Sequence, residues 1–236
     1  MKLFGLSQRW EDTEQYISQR AFDDCTEMRD PERTRAAILE AAYTQVYEHG
    51  FQATSIDEIV AKASMTKGAF FSHFHSKNEL GYALVDEVLK EMTLDKWIRP
   101  VAAYKNPVQG IVTRFRRAIE STKEEHVGLG CPLNNLVQEM SAVDPVFREK
   151  LQGIMLLWID ETEKYLKKAQ AEGYLKKNVN ARQLAEFVVM VEEGSFAMVK
   201  NLRDKKVYWA LYESLKKYLD SISVRPEATQ APLVHR

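Results

Sequence analysis

The sequence predicts an all-α protein. Apolar residues recur at intervals of three and four along most of the chain, which is the spacing of one helix face. No two-residue turn joins a pair of alternating apolar and polar runs, so no β-hairpin is indicated. Only 10 Gly and 7 Pro occur in 236 residues, and the breaks they make divide the chain into nine predicted helices.

The N-terminal region contains an extension and then the first clear helix. Residues 1–30 are mostly polar, and we expect an extension that is disordered or partly helical. Met28, just before the first strong helix signal, is an alternative first residue. Asp30 can cap a helix in which Pro31 suits the first turn, so a helix is predicted over about 32–49.

Two short helices follow. Thr54 or Ser55 can cap the first, which extends to about Lys62. Thr66 can cap the second, which is expected over 67–73. Two helices of this length, joined by a three-residue turn and supported by a preceding helix, are typical of a helix-turn-helix, in which the second helix reads DNA.

The rest of the chain predicts six more helices, giving a helix-turn-helix domain over 31–76 and a larger helical domain over 77–223. Residues 224–236 contain two separate prolines, Pro226 and Pro232, and are expected to form a disordered tail. The six helices are expected at about 77–95, 107–125, 131–141, 145–173, 180–203 and 206–222.

Composition and charge exclude several classes of protein. With 45% hydrophobic and 28% charged residues, the chain has a globular composition. The formal charge of -1 gives no general attraction to phosphate, so DNA binding would depend on individually placed groups. The longest apolar run, 154–159, is too short to span a membrane, and no signal peptide is indicated. Two cysteines and no leader favour a cytoplasmic protein with free thiols.

About fifty residues around the helix-turn-helix resemble the DNA-binding domain of the TetR family. The aromatic-x-x-Phe-x-x-Lys ending makes this pattern more distinctive than a generic helix-turn-helix. Ser64 stands where the family usually has Gly, so some strain is expected there. The matching pattern is Gly50-Phe51-x-x-Thr54-Ser55-Ile56-x-x-Ile59-x-x-x-Ala63-x-Met65-Thr66-Lys67-Gly68-Ala69-Phe70-Phe71-x-His73-Phe74-x-Ser76-Lys77-x-x-Leu80.

The resemblance implies which residues contact double-stranded DNA. Phe70 and Phe74 are expected to pack inward, whereas for Phe71 and His73 a core position is an equally good interpretation. Six Lys/Arg against seven Asp/Glu between residues 29 and 80 predict modest affinity for a single domain. The residues that match the family's DNA-contacting positions are Thr66, Lys67, Gly68, Ala69, Phe71, Ser72 and His73 in the reading helix, with Thr54 and Lys77 at the phosphate backbone.

The resemblance also implies a homodimer. The last two helices, about 180–222, would pair with their copies from a second subunit to form a four-helix bundle. A two-fold dimer would place two reading helices on a palindromic operator. The expected function is a ligand-responsive regulator of transcription, most often a repressor.

The larger domain is expected to bind a small apolar or aromatic effector, with a polar or cationic end facing Glu192. Cys131 lies in a Gly-Cys-Pro-Leu sequence that resembles one TetR subgroup, and a helix N-terminus favours a thiolate. A small buried residue at the start of a helix is the more common interpretation of such a cysteine. The candidate effector-binding residues are Phe115, Cys131, Leu136, Met140, Met155, Trp158 and Glu192.

No enzymatic motif stands out. His73 and His75 are two apart and therefore point to different faces of a helix. Metalloprotease, phosphate-loop and nucleophile-elbow patterns do not occur. We therefore expect no enzyme activity, cofactor or metal. The alternative to a DNA-binding regulator is a helical small-molecule-binding protein or a thiol-based electrophile sensor.

Overall fold

A computed structural model describes residues 31–224. Within that range the chain forms nine main helices, a short 3₁₀ turn at Glu124–His126 and no strand, which confirms the predicted all-α class. No helix in this range is long and apolar enough to cross a membrane. The predictions for residues 1–30 and for nearly all of the C-terminal tail lie outside the described residues. The helices are α1 (Pro31–His49), α2 (Ile56–Lys62), α3 (Lys67–Phe71), α4 (77–103), α5 (Pro107–Ser121), α6 (Pro132–Met140), α7 (Pro145–Ala171), α8 (Ala181–Leu202) and α9 (Lys206–Ile222).

Helix α4 is irregular and longer than its predicted span. It ends in a 3₁₀ segment instead of at residue 95, because Pro100 occupies a first-turn position where its missing N–H costs no hydrogen bond. Its α-helical parts are Lys77–Ala83 and Lys90–Thr93, its π-helical parts are Leu84–Leu89 and Leu94–Ile98, and its 3₁₀ part is Arg99–Ala103.

The described residues form two compact units. Unit 1 contains residues 31–91 and 132–151, and unit 2 contains residues 92–131 and 152–224. The predicted domain boundary at residue 76 stays a prediction. The first part of α4, all of α6 and the start of α7 pack with the helix-turn-helix helices, contacts that the order of helices along the chain does not reveal.

The core of unit 1 is built around α1. Ile38 and Ala42 on α1 are fully buried, and Phe70, Phe74 and Leu80 are buried on the helices that follow. Complete burial of a large apolar side chain stabilises a fold by about 1.5–3 kcal/mol. This core therefore fixes how α2 and α3 are held.

Unit 2 has a largely aromatic core. The Trp97 and Trp158 rings stack with centroids 5.2 Å apart, and Phe196 meets Trp97 edge-on at 6.2 Å. Phe196 also contacts Tyr208 edge-on at 5.5 Å, which brings α4, α7, α8 and α9 together. Such ring pairs add about 0.5–1.5 kcal/mol beyond the area they bury.

Candidate nucleic-acid interface and effector site

Two capped helices form the helix-turn-helix. The Ser55 hydroxyl accepts a hydrogen bond from the Glu58 backbone N–H at 3.2 Å, and the Glu58 carboxylate accepts one from the Ser55 N–H at 2.7 Å. This capping box selects Ser55 over Thr54 as the cap of α2. Thr66 caps α3 by accepting from the Ala69 N–H at 3.1 Å.

The turn between α2 and α3 contains a left-handed residue. Ser64 has φ 54°, a backbone conformation that favours glycine because it brings the β-carbon close to the main chain. The next residue, Met65, donates its N–H to the Val60 carbonyl at 2.8 Å and closes the turn. The strain expected from a serine at this position is therefore present.

Helix α3 separates a buried face from an exposed one. Phe70 and Phe74 are 0% and 1% exposed, which confirms their predicted inward packing. Phe71 is 48% exposed, an uncommon environment for a phenyl ring. Of the other residues predicted to contact DNA from this helix, Ala69 and His73 are half-buried, and Thr66, Lys67, Gly68 and Ser72 are exposed. Hydroxyl, ammonium and aromatic groups on one surface can contact both base edges and thymine methyl groups.

Lys67 has a carboxylate neighbour. Its ammonium lies 2.7 Å from Asp57, and both side chains are more than half exposed. An ion pair of this kind contributes little to stability in water. Lys67 can therefore exchange Asp57 for a phosphate or a guanine at small cost.

The side chains of Lys77 and Thr54 form hydrogen bonds within the chain. The Lys77 ammonium donates to the carbonyls of Phe51, Gln52 and Thr54 at 3.0, 3.2 and 2.9 Å. These bonds use all three ammonium donors within the chain. Thr54 is 2% exposed, and its hydroxyl donates to the Gly50 carbonyl at 2.7 Å. Both side chains hold the α1–α2 turn. The predicted contact of Lys77 and of the amides near Thr54 with the DNA backbone stays a prediction.

Glu139 holds the same turn from the other side. Its two carboxylate oxygens accept hydrogen bonds from the Phe51 N–H at 2.8 Å and from the Gln52 N–H at 2.7 Å. Sequence reasoning missed Glu139 because its partners lie 87 and 88 residues away. We name the Gly50–Thr54 turn, with Glu139 and Lys77, the turn clasp.

Phe147 packs beside the turn clasp. Its ring meets Phe51 edge-on at 4.8 Å and Tyr82 edge-on at 4.9 Å. Gly81 makes this packing possible, because a β-carbon there would lie 2.4 Å from the Phe147 ring. The Tyr82 hydroxyl donates to Asp144 at 2.8 Å, so α4 and the start of α7 are joined by polar and apolar contacts.

The predicted effector residues divide between the two units. Leu136 and Met140 are buried in unit 1. The other five belong to unit 2, where Met155 is half-buried and Phe115, Cys131, Trp158 and Glu192 are buried. No group of three His, Cys, Asp or Glu side chains within residues 31–224 is arranged to hold a metal ion.

Unit 2 contains a polar cluster of half-buried Lys96 with buried Cys131, Glu192 and Glu193. Burial raises the pKa of Glu192 well above its ordinary value, and the neighbouring Glu193 adds to the effect. Burial raises the pKa of Glu193 to about 7, against the opposing effects of a hydrogen bond from Cys131 and the charge of Lys96. The Cys131 thiol donates to the Glu193 carboxylate with a sulfur–oxygen distance of 3.4 Å.

Lys96 lies among aromatic rings. Its ammonium is 5.1 Å from the Trp97 ring centre and 5.3 Å from the Phe196 ring centre. Burial lowers its pKa, and the nearby charge of Arg114 acts in the same direction. Trp97 and Phe196 also line a small cavity, whose other walls are Phe115, Ala118, Ile119, Thr122, Ser195 and Tyr208.

A capped helix-turn-helix with an exposed face on its second helix, in a chain with a second helical unit, is typical of a DNA-binding regulatory protein. Residues 38–84 match the family model described as bacterial regulatory proteins of the tetR family. Residues 107–215 match the model described as the tetracyclin repressor-like C-terminal domain. The chain therefore belongs to the TetR family, and it is a transcriptional regulator rather than an enzyme.

Two relatives agree with this assignment, and a solved structure shares the fold. The chain is 28% identical over 172 residues to transcriptional regulator AcuR of Cereibacter sphaeroides, covering 70% of this chain and 75% of that protein. It is 26% identical over 166 residues to the HTH-type transcriptional repressor DhaR of a Mycobacterium species, covering 69% and 81%. A TetR regulator from Chloroflexus aurantiacus shares the fold with a TM-score of 0.74 and 24% identity, covering 83% of this chain and 98% of that one. TetR-family regulators bind DNA and act as dimers.

Proposed function

We propose that two copies of this chain bind a palindromic operator through α3, repress transcription and release the DNA when a small effector binds in unit 2. The observation that carries this proposal is the division of α3. Phe70 and Phe74 anchor the helix, while Phe71 and Lys67 stand exposed beside the hydroxyls of Thr66 and Ser72. An exposed phenyl ring beside polar groups is suited to a base edge and a thymine methyl group.

The charge of the reading domain supports a requirement for two copies. Unit 1 has no excess of basic residues around α2 and α3, so nonspecific attraction to phosphate is weak. Two reading helices related by a two-fold axis double the number of contacts on a palindrome. Dimerisation therefore supplies affinity that the charge of one copy does not.

Exposed apolar residues on α8 and α9 support the proposed dimer interface over about residues 180–222. A row of large apolar side chains on a surface is typical of a protein interface. Gly194 and Ala197 are exposed among them and permit another helix to approach closely. The exposed large side chains on these two helices are Phe187, Met190, Met198, Leu202, Trp209 and Tyr218.

A mobility-shift assay with promoter DNA next to the protein's own gene tests the proposal. We expect salt-sensitive retardation at micromolar protein that depends on the palindrome. The double variant Lys67→Ala/Phe71→Ala should lose operator binding and remain a dimer by sedimentation. A matched control, Lys177→Ala/Val146→Ala, removes an exposed lysine and an exposed apolar side chain elsewhere and should bind as wild type.

Either of two outcomes contradicts the reading role of α3. Retained operator binding by the double variant would show that other residues make the contacts. Loss of the dimer or of the fold in that variant would make Lys67 and Phe71 structural residues. An absence of any palindrome-dependent retardation by the wild-type protein would remove the repressor proposal itself.

A second candidate, thiol-based sensing of electrophiles, is favoured by the contact between Cys131 and Glu193. A carboxylate that accepts a hydrogen bond from a thiol can also take its proton and leave the reactive thiolate. If Cys131 is the sensor, Cys131→Ser should make DNA release insensitive to an added maleimide. If Cys131→Ser releases DNA at the same maleimide concentration as the wild-type protein, Cys131 has only a packing role.

A further inference from the structure

An acidic side chain lies beside the exposed lysine of α3. The Lys67 ammonium is 2.7 Å from the Asp57 carboxylate, and the two side chains are 58% and 68% exposed. Asp57 lies in the first turn of α2, and Lys67 is the first residue of α3. The ion pair therefore joins the two helices of the helix-turn-helix on their solvent side.

The backbone beneath this ion pair is fixed by the two helix caps. The Glu58 carboxylate accepts from the N–H and the hydroxyl of Ser55, at 2.7 and 2.8 Å, and holds the first turn of α2. The Thr66 hydroxyl holds the first turn of α3 by accepting from the Ala69 N–H. Because both first turns are held, Asp57 stays close to the lysine of α3 when that lysine approaches DNA.

Lys67 can bind DNA without leaving Asp57. An ammonium has three N–H donors that point in different directions, and Asp57 accepts from one of them. The major groove offers guanine O6 and N7, which are acceptors without a net charge. The DNA backbone offers phosphate oxygens, which carry a negative charge. These two kinds of acceptor differ in how they interact with a carboxylate nearby.

Asp57 makes the phosphate the poorer partner. A phosphate bound by Lys67 brings a second negative charge next to the carboxylate, and like charges placed together in an interface are costly. A guanine edge brings no such charge. Breaking an exposed ion pair costs little by itself, so the discrimination comes from the carboxylate that remains beside the bound group.

We propose that Asp57 is a specificity-determining residue, which directs Lys67 toward an uncharged base acceptor in the major groove and away from the phosphate backbone. Asp57 acts through Lys67 and is therefore a positioning residue. It lowers the affinity for DNA of unrelated sequence, where phosphates are the only acceptors that are always present. This inference rests on the proposed function, because it specifies how the reading helix distinguishes an operator from other DNA.

Fluorescence anisotropy with two DNA fragments tests the role of Asp57. One fragment is the promoter DNA next to the protein's own gene, and the other is a scrambled fragment of the same length and base composition. We expect Asp57→Asn to bind the scrambled fragment more tightly and to lower the ratio of promoter to scrambled affinity at least fivefold. Asp57→Glu keeps the carboxylate and should stay within twofold of the wild-type ratio. The matched control Glu149→Gln removes an exposed negative charge elsewhere in unit 1 and should also keep that ratio.

The salt dependence of binding to the scrambled fragment shows which group Lys67 contacts. Each phosphate that a protein neutralises adds about 0.9 to the slope of log affinity against log salt concentration. Lys67→Met alone should leave this slope unchanged, because Asp57 keeps Lys67 from phosphate. In the Asp57→Asn background, the same substitution should reduce the slope by about 0.9 for each subunit that contacts DNA.

Two results overturn the proposal. The first is a ratio of promoter to scrambled affinity that Asp57→Asn leaves unchanged. The second is an effect of Lys67→Met on the slope that is the same with and without Asp57, because Asp57 would then act only as a general negative charge. If Asp57→Asn fails to fold by circular dichroism, Asp57→Ser takes its place with the same criteria.

These measurements separate the role of Asp57 from the proposed function. If the wild-type protein prefers the promoter fragment and Asp57→Asn does not change that preference, the regulator proposal stands and the assignment of Asp57 fails. If the wild-type protein has no preference for the promoter fragment, the regulator proposal fails. The slopes on the scrambled fragment then still decide whether Asp57 keeps Lys67 from phosphate.

Discussion

Among single residues, the three phenylalanines of the reading region show how helical periodicity assigns roles. Phe70 and Phe74 are four positions apart, lie on one face and are buried. Phe71 is one position further, about 100° around the helix, and is half exposed. The apolar pattern is sufficient to predict the first two. It leaves Phe71 undecided, since exposure depends on what the rest of unit 1 covers.

Glu193 provides a prediction for the pH dependence of stability. Its pKa is about 7 in the folded protein and near 4.5 when unfolded, so the folded state binds the proton more tightly. The resulting stabilisation is fully present below about pH 4.5 and is lost as the pH rises to about 7. We expect the free energy of unfolding to fall across that range by up to about 3 kcal/mol from this group.

Urea unfolding at pH 5, 6, 7 and 8 measures this effect. Glu193→Gln should make the profile less steep and be more stable than wild type at pH 8, while Glu192, whose pKa is also raised by burial, keeps the remaining slope. Glu172→Gln, an exposed acid at the end of α7, serves as the control and should keep the wild-type slope. A Glu193→Gln profile as steep as wild type would show that Glu193 does not titrate between pH 5 and 8.

At the scale of elements, the turn clasp connects α6 to the start of the helix-turn-helix. Glu139 accepts two backbone N–H groups of the α1–α2 turn, and Lys77 donates to three of its carbonyls. Gly50, at φ 89°, leaves room for this arrangement, because a β-carbon there would lie 3.2 Å from a Glu139 oxygen. The position of α2 therefore depends on a helix far away in the sequence.

Glu139→Gln tests the turn clasp. A glutamine keeps one acceptor oxygen and turns an N–H₂ group toward a backbone N–H, so we expect a loss of about 1–3 kcal/mol in the free energy of unfolding. Hydrogen exchange of the Phe51 and Gln52 amides should accelerate, and operator affinity should fall. Glu149→Gln, an exposed acid of α7 in the same unit, should change none of these.

Hydrogen exchange of the Phe51 and Gln52 amides is a more specific readout than the free energy of unfolding or operator affinity. Unchanged protection of both amides in Glu139→Gln would mean that the carboxylate is dispensable. The turn would then be held by Lys77 and by the packing of Phe51 on Phe147.

Two properties of the whole molecule indicate that DNA binding depends on a partner subunit. They are the formal charge of -1 and the exposed apolar residues on α8 and α9. Met190 and Met198 are 64% and 54% exposed, which is a large apolar area to leave in water. In the proposed dimer, burial against a second subunit removes that cost and supplies the second reading helix.

Met190→Glu/Met198→Glu should therefore yield a monomer. A charge on each side of a buried interface costs several kcal/mol of association free energy. Sedimentation equilibrium measures the change, and operator binding should be lost with the dimer. Lys177→Glu, in the loop between α7 and α8, changes an exposed charge and should remain dimeric. A dimeric double methionine variant would place the interface elsewhere.

The sequence by itself determined the features that depend on near neighbours. Most helix spans, the cap at Thr66 and the inward faces of Phe70 and Phe74 follow from interactions over four residues or fewer. The choice between Thr54 and Ser55 and the end of α4 were left open or misplaced by the sequence. The family pattern identified the DNA-binding class from the same stretch. These features are local, so the order of residues contains the information they need.

Only the tertiary structure decided what the long side chains contact. Lys77 donates to carbonyls 23 to 26 residues away, and Glu139 accepts from amides 87 and 88 residues away, partners that the sequence does not indicate. Leu136 and Met140 belong to unit 1 for the same reason, since helix order does not say which helices pack together. A flexible charged side chain takes whichever partner folding brings within reach, and that partner is set by packing across the chain.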